Sequence, residues 1–243
     1  MKYLGETFDI HTGGVDHIPV HHNNEIAQSE CATSKPYANF WLHNEFVNVD
    51  GAKMSKSEEN FLRLDTLAKH KIHPLAYRYW LLTAHYDTPI LFSFQAVGAA
   101  QTTLESIIHK ISLGKMTEIG KDAAVKTERF KHSLKSHIEN NLDTSSCIAL
   151  LNEVAHEIAN GTISTRIIND FDAVLGLNLK DLVHYTTDIQ EKIKNLSRQR
   201  ETYRLSNNWD KADEVRREIE NAGYYIEDSA KGPLIRRALS CLV

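Results

Sequence analysis

Two lysines and two serines crowd into "VDGAKMSKSEENF", residues 49–61, beside Gly51 and without any regular apolar period. Lys53 and Lys56 stand three apart with Ser55 and Ser57 at their sides. Ammonium groups and hydroxyl donors on one flexible segment can close around a polyphosphate and stabilise charge that develops during its displacement. The same residues also describe a solvated turn, and local spacing does not choose between the two. A second constellation is His21 and Glu25, four apart at a helix start, which places an imidazole nitrogen and a carboxylate oxygen on one face. Such a pair can bind zinc, but zinc sites take three or four protein ligands. A solvated first turn, with Glu favoured by the helix dipole, uses the same residues, and His22 shares a face with Glu25 as well. Finally, His11 and Asp16 flank Gly13 and Gly14 at the carboxyl end of a strand pattern, where open α/β sheets place ligands. Asp16 there can accept from a ribose hydroxyl, or it can be an Asx-turn residue beside a surface histidine.

These groups need elements to hold them. "TFDIHTGG" predicts a strand running into a glycine turn, where the backbone takes positive φ or lets a ligand come close. "NNEIAQSECAT" predicts a helix capped by Asn23 or Asn24 and ended before Pro36. "FVNVDG" alternates Phe46, Val47 and Val49 with polar residues and predicts a strand that stops at Asp50-Gly51. Strand, helix, strand and loop in this order form an α/β signature. From Leu62 onward the apolar residues recur at helical spacing: Leu64 and Leu67, then Tyr77, Trp80 and Leu81, then Ile107, Ile108 and Ile111. Phe130, Leu134, Ile138 and Leu142, followed by Ile148, Leu151, Val154 and Ile158, extend the pattern into a helical bundle. The tail predicts two charged helices meeting near "SNNWD", the second closed by Gly223. The fold class is therefore α/β followed by mainly α.

A chain of 243 residues with 42% hydrophobic and 25% charged residues can bury a core. Its formal charge of −4 excludes a uniformly basic coat for nucleic acid and leaves room for local patches. Cys31, Cys147 and Cys241 are widely spaced, form no CxxC pair and are too few for a disulfide framework, which fits a reducing, cytoplasmic setting. No apolar run approaches the ~20 residues of a membrane span, and "MKYLGETFDIHTGG" contains no apolar h-region, so export is not expected.

Taken together, "FDIHTGGVDHIPVHHNNEIAQSECAT", "WLHNEFVNVDGAKMSKSEENF" and "SNNWDKADEVRREIENAGYYIEDSAKG" resemble the cysteinyl-tRNA synthetases, which are class I aminoacyl-tRNA synthetases. The resemblance runs from about Tyr3 to Arg236. It implies that residues 1–60 are the C-terminal part of a Rossmann-type catalytic domain, 61–118 a helical connective region, 119–190 a helical-bundle anticodon-binding domain, and 191–243 a small anticodon-recognition module. It implies that Lys53 and Lys56 are catalytic, that Lys56, Met54, Ser55, Ser57 and Asp16 bind ATP with Mg2+, and that His11 contacts substrate. The family's zinc takes a histidine and a glutamate at the places of His21 and Glu25, which chooses His21 over His22, and it binds the substrate thiol. Arg204, Trp209, Asp213 and Asp228 match positions that contact anticodon bases, where stacking and hydrogen bonds read unpaired RNA. Without the resemblance, Trp209 reads as a core residue of a helix hairpin.

The implied activity is ATP-dependent activation of L-cysteine and its transfer to tRNA-Cys by a cytoplasmic, monomeric ligase. Three departures bear on it. The family's HIGH-type motif and two zinc-ligand cysteines lie upstream of Met1, and none of Cys31, Cys147 or Cys241 stands in for them. "SEENF" puts Glu58 and Glu59 where the family has a Leu-Gly pair, with like charge beside an expected polyphosphate. "NLDTSSC", residues 141–147, is an imperfect form of the family's Asn-Thr-Pro helix start. The expectation is a chain inactive alone, completed by an N-terminal half. The alternatives are a non-catalytic tRNA-binding module and a ligase joining cysteine to an amino sugar; the tail argues against the latter. Residues 1–60 should expose apolar sheet edges if alone.

Overall fold

The structure is a computed structural model that describes residues 1–49, 52, 53, 63–114, 121–229 and 232–242. The chain divides into two compact units: Met1–Phe61 with Ala84–Ser93, and Leu62–Thr83 with Phe94–Val243.

In the first unit, β1 (Phe8–Gly14) is followed by a 3-10 turn (Val15–His17), a π turn (Ile18–His22), α1 (Asn23–Thr33) and β2 (Ala38–Asn44). β1 and β2 pair in parallel, from Phe8 opposite Ala38 to Gly14 opposite Asn44. The intervening helix is what a parallel pairing requires, since a tight hairpin can join only antiparallel strands. α1 stops at Ser34, whose left-handed backbone (φ 56°) lets its N–H donate to Glu30 O at 2.8 Å, two residues before Pro36. The expected asparagine cap is not formed. The chain enters α1 already helical through the π turn, so His22 occupies the cap position with helical backbone and no side-chain cap, while Asn23 donates to Pro19 O at 3.4 Å. β3 (Val47–Val49) pairs antiparallel with β4 (Ala52–Lys53) and parallel with β5 (Ile90–Phe92). Ile10 and Phe40 face each other across β1 and β2 and are 61% and 70% exposed. Parallel sheets ordinarily have both faces covered. Here an apolar face is open, where the sequence leads us to expect exposed apolar edges.

The second unit is helical: α2 (Leu64–Lys69), α3 (Pro74–Leu82), α4 (Phe94–Leu113), α5 (Lys121–Glu139), α6 (Thr144–Ala159), α7 (Ile168–Leu175), α8 (Leu179–Thr187), α9 (Glu191–Leu205) and α10 (Trp209–Asn221). Pro74 starts α3, where its missing N–H costs nothing, and the His73 ring accepts from Leu75 N at 3.1 Å. Val97, Ala100, Leu104, Ile107, Ile108 and Ile111 recur on one face of α4, and Cys147, Ile148, Leu151, Val154, Ala155 and Ile158 on one face of α6. Both sets are buried, and burying each of the Val, Leu and Ile side chains stabilises by about 1.5–3 kcal/mol against the entropy of ordering it. At the C-terminus α9 and α10 form a hairpin of helices, and Gly223 follows α10 with φ 84°. A β-hairpin absent from the sequence reading comes next, β6 (Tyr224–Ser229) antiparallel to β7 (Gly232–Arg237). Ile193, Val215, Ile219, Tyr224 and Ile226 give this end of the chain its own buried cluster. No helix among the described residues is long and apolar enough to cross a membrane.

Candidate functional site

In the first unit the end of β1, the π turn and α1 converge on a group of histidines. His11 points from β1 to Glu25 on α1, with Nε2 and Oε2 2.9 Å apart. His21, at the end of the π turn, reaches the other oxygen of the same carboxylate at 3.6 Å. Glu25 thus joins the two candidate groups that spacing had left separate. His22 is 3% exposed and shares a hydrogen bond of 2.8 Å, through Nδ1, with Nε2 of His43 on β2. Its ring packs against His11 and Trp41, with centroids at 4.7 and 5.0 Å. Burial, reinforced by the neighbouring imidazoles of His11 and His43, holds the His22 ring below the usual histidine range. Ligand atoms of His11, His22 and Glu25 lie within 4.8 Å of one another, whereas His21 is the most exposed of these side chains at 62%.

The two glycines allow this crowding. They continue β1 rather than forming a positive-φ turn; Gly14 has φ −76° and ψ 158°. What approaches them is not the expected ligand but side chains of the same chain. A Cβ on Gly13 would lie 2.6 Å from His22 Cε1 and 2.8 Å from His17 Nδ1, and one on Gly14 would lie 2.5 Å from Asp16 Oδ1. Beside the group opens a cavity of about 870 Å³ whose lining includes Tyr3, Phe8, His11, Thr12, Glu25 and Tyr37. Lys53 lies on β4 opposite Asn48. Met54, Ser55, Lys56, Ser57, Glu58 and Glu59 lie outside the described residues.

In the second unit, the tail residues Arg204 and Trp209 flank the turn of the α9–α10 hairpin, and Asp228 pairs with Arg204. Trp209 opens α10 and is 56% exposed, so it is not a core residue of the hairpin. Asp213 stands one turn further along α10. Arg204 on α9 and Asp228 on β6 form an ion pair, with Arg204 Nη1 also 3.5 Å from Glu201. Sequence reasoning missed a second arginine on the same carboxylate. Arg200, 4% exposed, donates from Nη1 to Asp228 Oδ1 at 2.8 Å and from Nη2 to Oδ2 at 3.2 Å, and also from Nη1 to Glu201 at 3.1 Å. Its Nε is buried without a hydrogen-bond partner. The two guanidiniums, Arg200 first, hold Asp228 below the usual carboxylate range, and the nearby Asp213 adds to the charge that keeps Arg200 protonated. The signal was present in the sequence, because Arg200 lies one helical turn before Arg204.

Residues 1–102 match a family model described as tRNA synthetases class I (C) catalytic domain. The chain is 36% identical over 232 residues to "Cysteine--tRNA ligase 1" of Burkholderia lata, covering 95% of this chain and 48% of that one. It is 35% identical to the cysteine–tRNA ligase of Caldicellulosiruptor saccharolyticus, covering 98% and 54% of the two chains, and 34% identical to that of Chlamydia pneumoniae, covering 97% and 52%. Among solved structures, the LeuRS in the ternary complex of Agrobacterium radiobacter K84 agnB2 LeuRS with tRNA and LeuAMS aligns at a TM-score of 0.50 and 15% identity, over 71% of this chain and 27% of that one. That likeness supports a class I synthetase fold and nothing finer. Along nearly its whole length the chain is similar to cysteinyl-tRNA synthetases, and it spans about half the length of the curated relatives it matches.

Proposed function

We propose that the chain supplies part of a cysteine–tRNA ligase, the portion carrying the lysine loop, one side of the amino-acid site and the anticodon reader. The observation that carries this reading is sequence likeness to cysteine–tRNA ligases along 95% or more of the chain. In it, Lys53 and Lys56 with Met54, Ser55 and Ser57 grip ATP, accompanied by Mg2+, and offset charge on the departing pyrophosphate. Asp16 lies on the nucleotide side and His11 on the cysteine side. The proposed organisation keeps the divisions at 1–60, 61–118, 119–190 and 191–243.

Zinc is proposed at His21 and Glu25. Their donor atoms are 3.6 Å apart, near the ~3.3 Å between two ligands of a tetrahedral ion with bonds of ~2.0 Å. His11 and His22 add nitrogens to the same group, and among the described residues no cysteine sulfur joins it. Nitrogen and oxygen donors of this kind fit zinc. When bound, the ion supplies a Lewis acid that takes a soft thiolate in preference to a hydroxyl, which selects cysteine over serine.

On this reading the isolated chain is inactive, because catalysis needs the part of the relatives that it does not match. The test is cysteine-dependent ATP–pyrophosphate exchange by the purified chain. No exchange is expected, and measurable exchange would overturn the claim of inactivity. A second reading, a tRNA-binding module without catalysis, is favoured by the separate buried cluster around Ile193, Val215 and Ile219 and by the exposure of Trp209. Binding of a tRNA with the cysteine anticodon, weakened by Trp209→Ala, supports it, and absence of binding at low salt removes it.

A further inference from the structure

Asp228 is gripped twice, in two different ways. Arg204, with its side chain 29% exposed, touches one carboxylate oxygen through Nη1 and shares that nitrogen with Glu201. Arg200, with its side chain 5% exposed, meets both oxygens with its two terminal nitrogens, the fork geometry that fixes the plane of a carboxylate. Two bonds from Arg200 leave the carboxylate's remaining lone pairs directed away from it. This arrangement is poorly explained by stability alone. A buried guanidinium bears a desolvation cost, and here Nε has no partner at all. Apolar side chains of similar volume commonly replace buried ion pairs without loss of stability.

We propose that Arg200 is a positioning residue for base reading: it fixes the Asp228 carboxylate from behind, while the less buried Arg204 is the group that RNA displaces from it. An incoming base edge then finds an oriented acceptor, and Arg204, once released from Asp228, keeps Glu201 as its partner at the same place. Besides Asp228, Glu201 and Asp213 add negative charge around the Arg200 guanidinium. The proposal rests on the reading of residues 191–243 as the module that contacts unpaired bases.

The experiment uses the full chain and two RNA stem-loops, one with the cysteine anticodon and one with a single anticodon base replaced. Affinities are measured at one salt concentration for the parent, Arg200→Lys, Arg200→Met and Trp209→Ala, with urea unfolding of each. The parent should discriminate between the RNAs. Arg200→Lys and Arg200→Met should lose about tenfold or more of that ratio, as expected for one misoriented charge-assisted hydrogen bond, with unfolding midpoints held. Trp209→Ala should weaken both RNAs. A ratio unchanged in both Arg200 variants overturns the positioning role and leaves the module's RNA reading intact. Loss of cooperative unfolding in both variants assigns Arg200 a structural role and overturns the proposal too. A parent that does not discriminate overturns the reading beneath it as well.

Discussion

Asp143 closes the N-terminus of α6, the helix with the most completely buried face in the bundle. Its Oδ1 accepts from Ser146 N at 2.9 Å and Ser145 Oγ at 2.8 Å, and Oδ2 accepts from Ser146 Oγ at 2.7 Å. These bonds, the backbone one first, bring the carboxyl down from 3.8 to about 2. At about 1.36 kcal/mol per pH unit that difference is ~2.4 kcal/mol, and solvent around a half-buried carboxylate reduces it to about 1–1.5 kcal/mol. The figure agrees with the ~1–2 kcal/mol by which removing an N-cap oxygen destabilises a protein. Asp143→Ala should therefore cost about 1–2 kcal/mol at pH 7, and Asp143→Asn, which keeps one cap oxygen, less. Asp143 titrates lower in the folded chain than in the unfolded one. Its charge-dependent stabilisation is thus complete above pH about 4 and disappears as pH falls through about 2, with about half remaining at pH 3. Urea unfolding followed by far-UV circular dichroism at pH 7 and pH 3 measures the gap between parent and Ala variant. A gap that is equal at the two pH values would refute charge at the cap as its source, and a gap under ~0.3 kcal/mol at pH 7 would refute the cap itself.

Gly223 has φ 84°, and a Cβ there would fall 2.0 Å from Cys241 Sγ. Gly223→Ala should cost at least the ~1–2 kcal/mol of a left-handed non-glycine residue and raise the reactivity of Cys241 toward a disulfide reagent; unaltered reactivity would count against it. Cys147 is fully buried and its thiol is pushed up to about 11, by burial first and the Asp143 charge second, while Cys31 and Cys241 are exposed. Iodoacetamide at pH 8 should label the two exposed cysteines quickly and Cys147 only in urea, and equal labelling of all three in the native chain would contradict this. Gly13→Ala drives a methyl into the rings of His22 and His17, and under the proposal of zinc at His21 and Glu25 it should weaken zinc binding about tenfold or more in a chelator competition. An unchanged zinc affinity would remove the metal from this cluster.

The elements that were legible in the sequence are those set by local rules. The 3-and-4 spacing in α4 and α6, Pro36 after α1 and Gly223 after α10 act within a few residues of themselves. What escaped the sequence depends on distant partners. The absence of an asparagine cap follows from a π turn that makes the preceding residues helical, and Gly13 is explained by a ring nine residues later. Tyr224–Ser229 alternates in and out only because Gly232–Arg237 folds back on it. At the candidate sites, the i,i+4 step from His21 to Glu25 was readable, but His11 meeting the same carboxylate needed β1 and α1 brought together. Arg200 looked like one more charge on a charged helix until Asp228, from a strand the sequence had not revealed, came to stand opposite it.

Ile10 and Phe40 stand opposite each other on the open face of two parallel strands that, among the described residues, pair only with each other. A sheet of this size has little intrinsic persistence in water. The consequence is one of mass action: a polypeptide that covers this face stabilises the first unit by about 2.7 kcal/mol when present at a hundred times its dissociation constant. The folded fraction of the first unit would then track the supply of such a polypeptide, a dependence that the buried faces of α4 and α6 do not call for in the second unit.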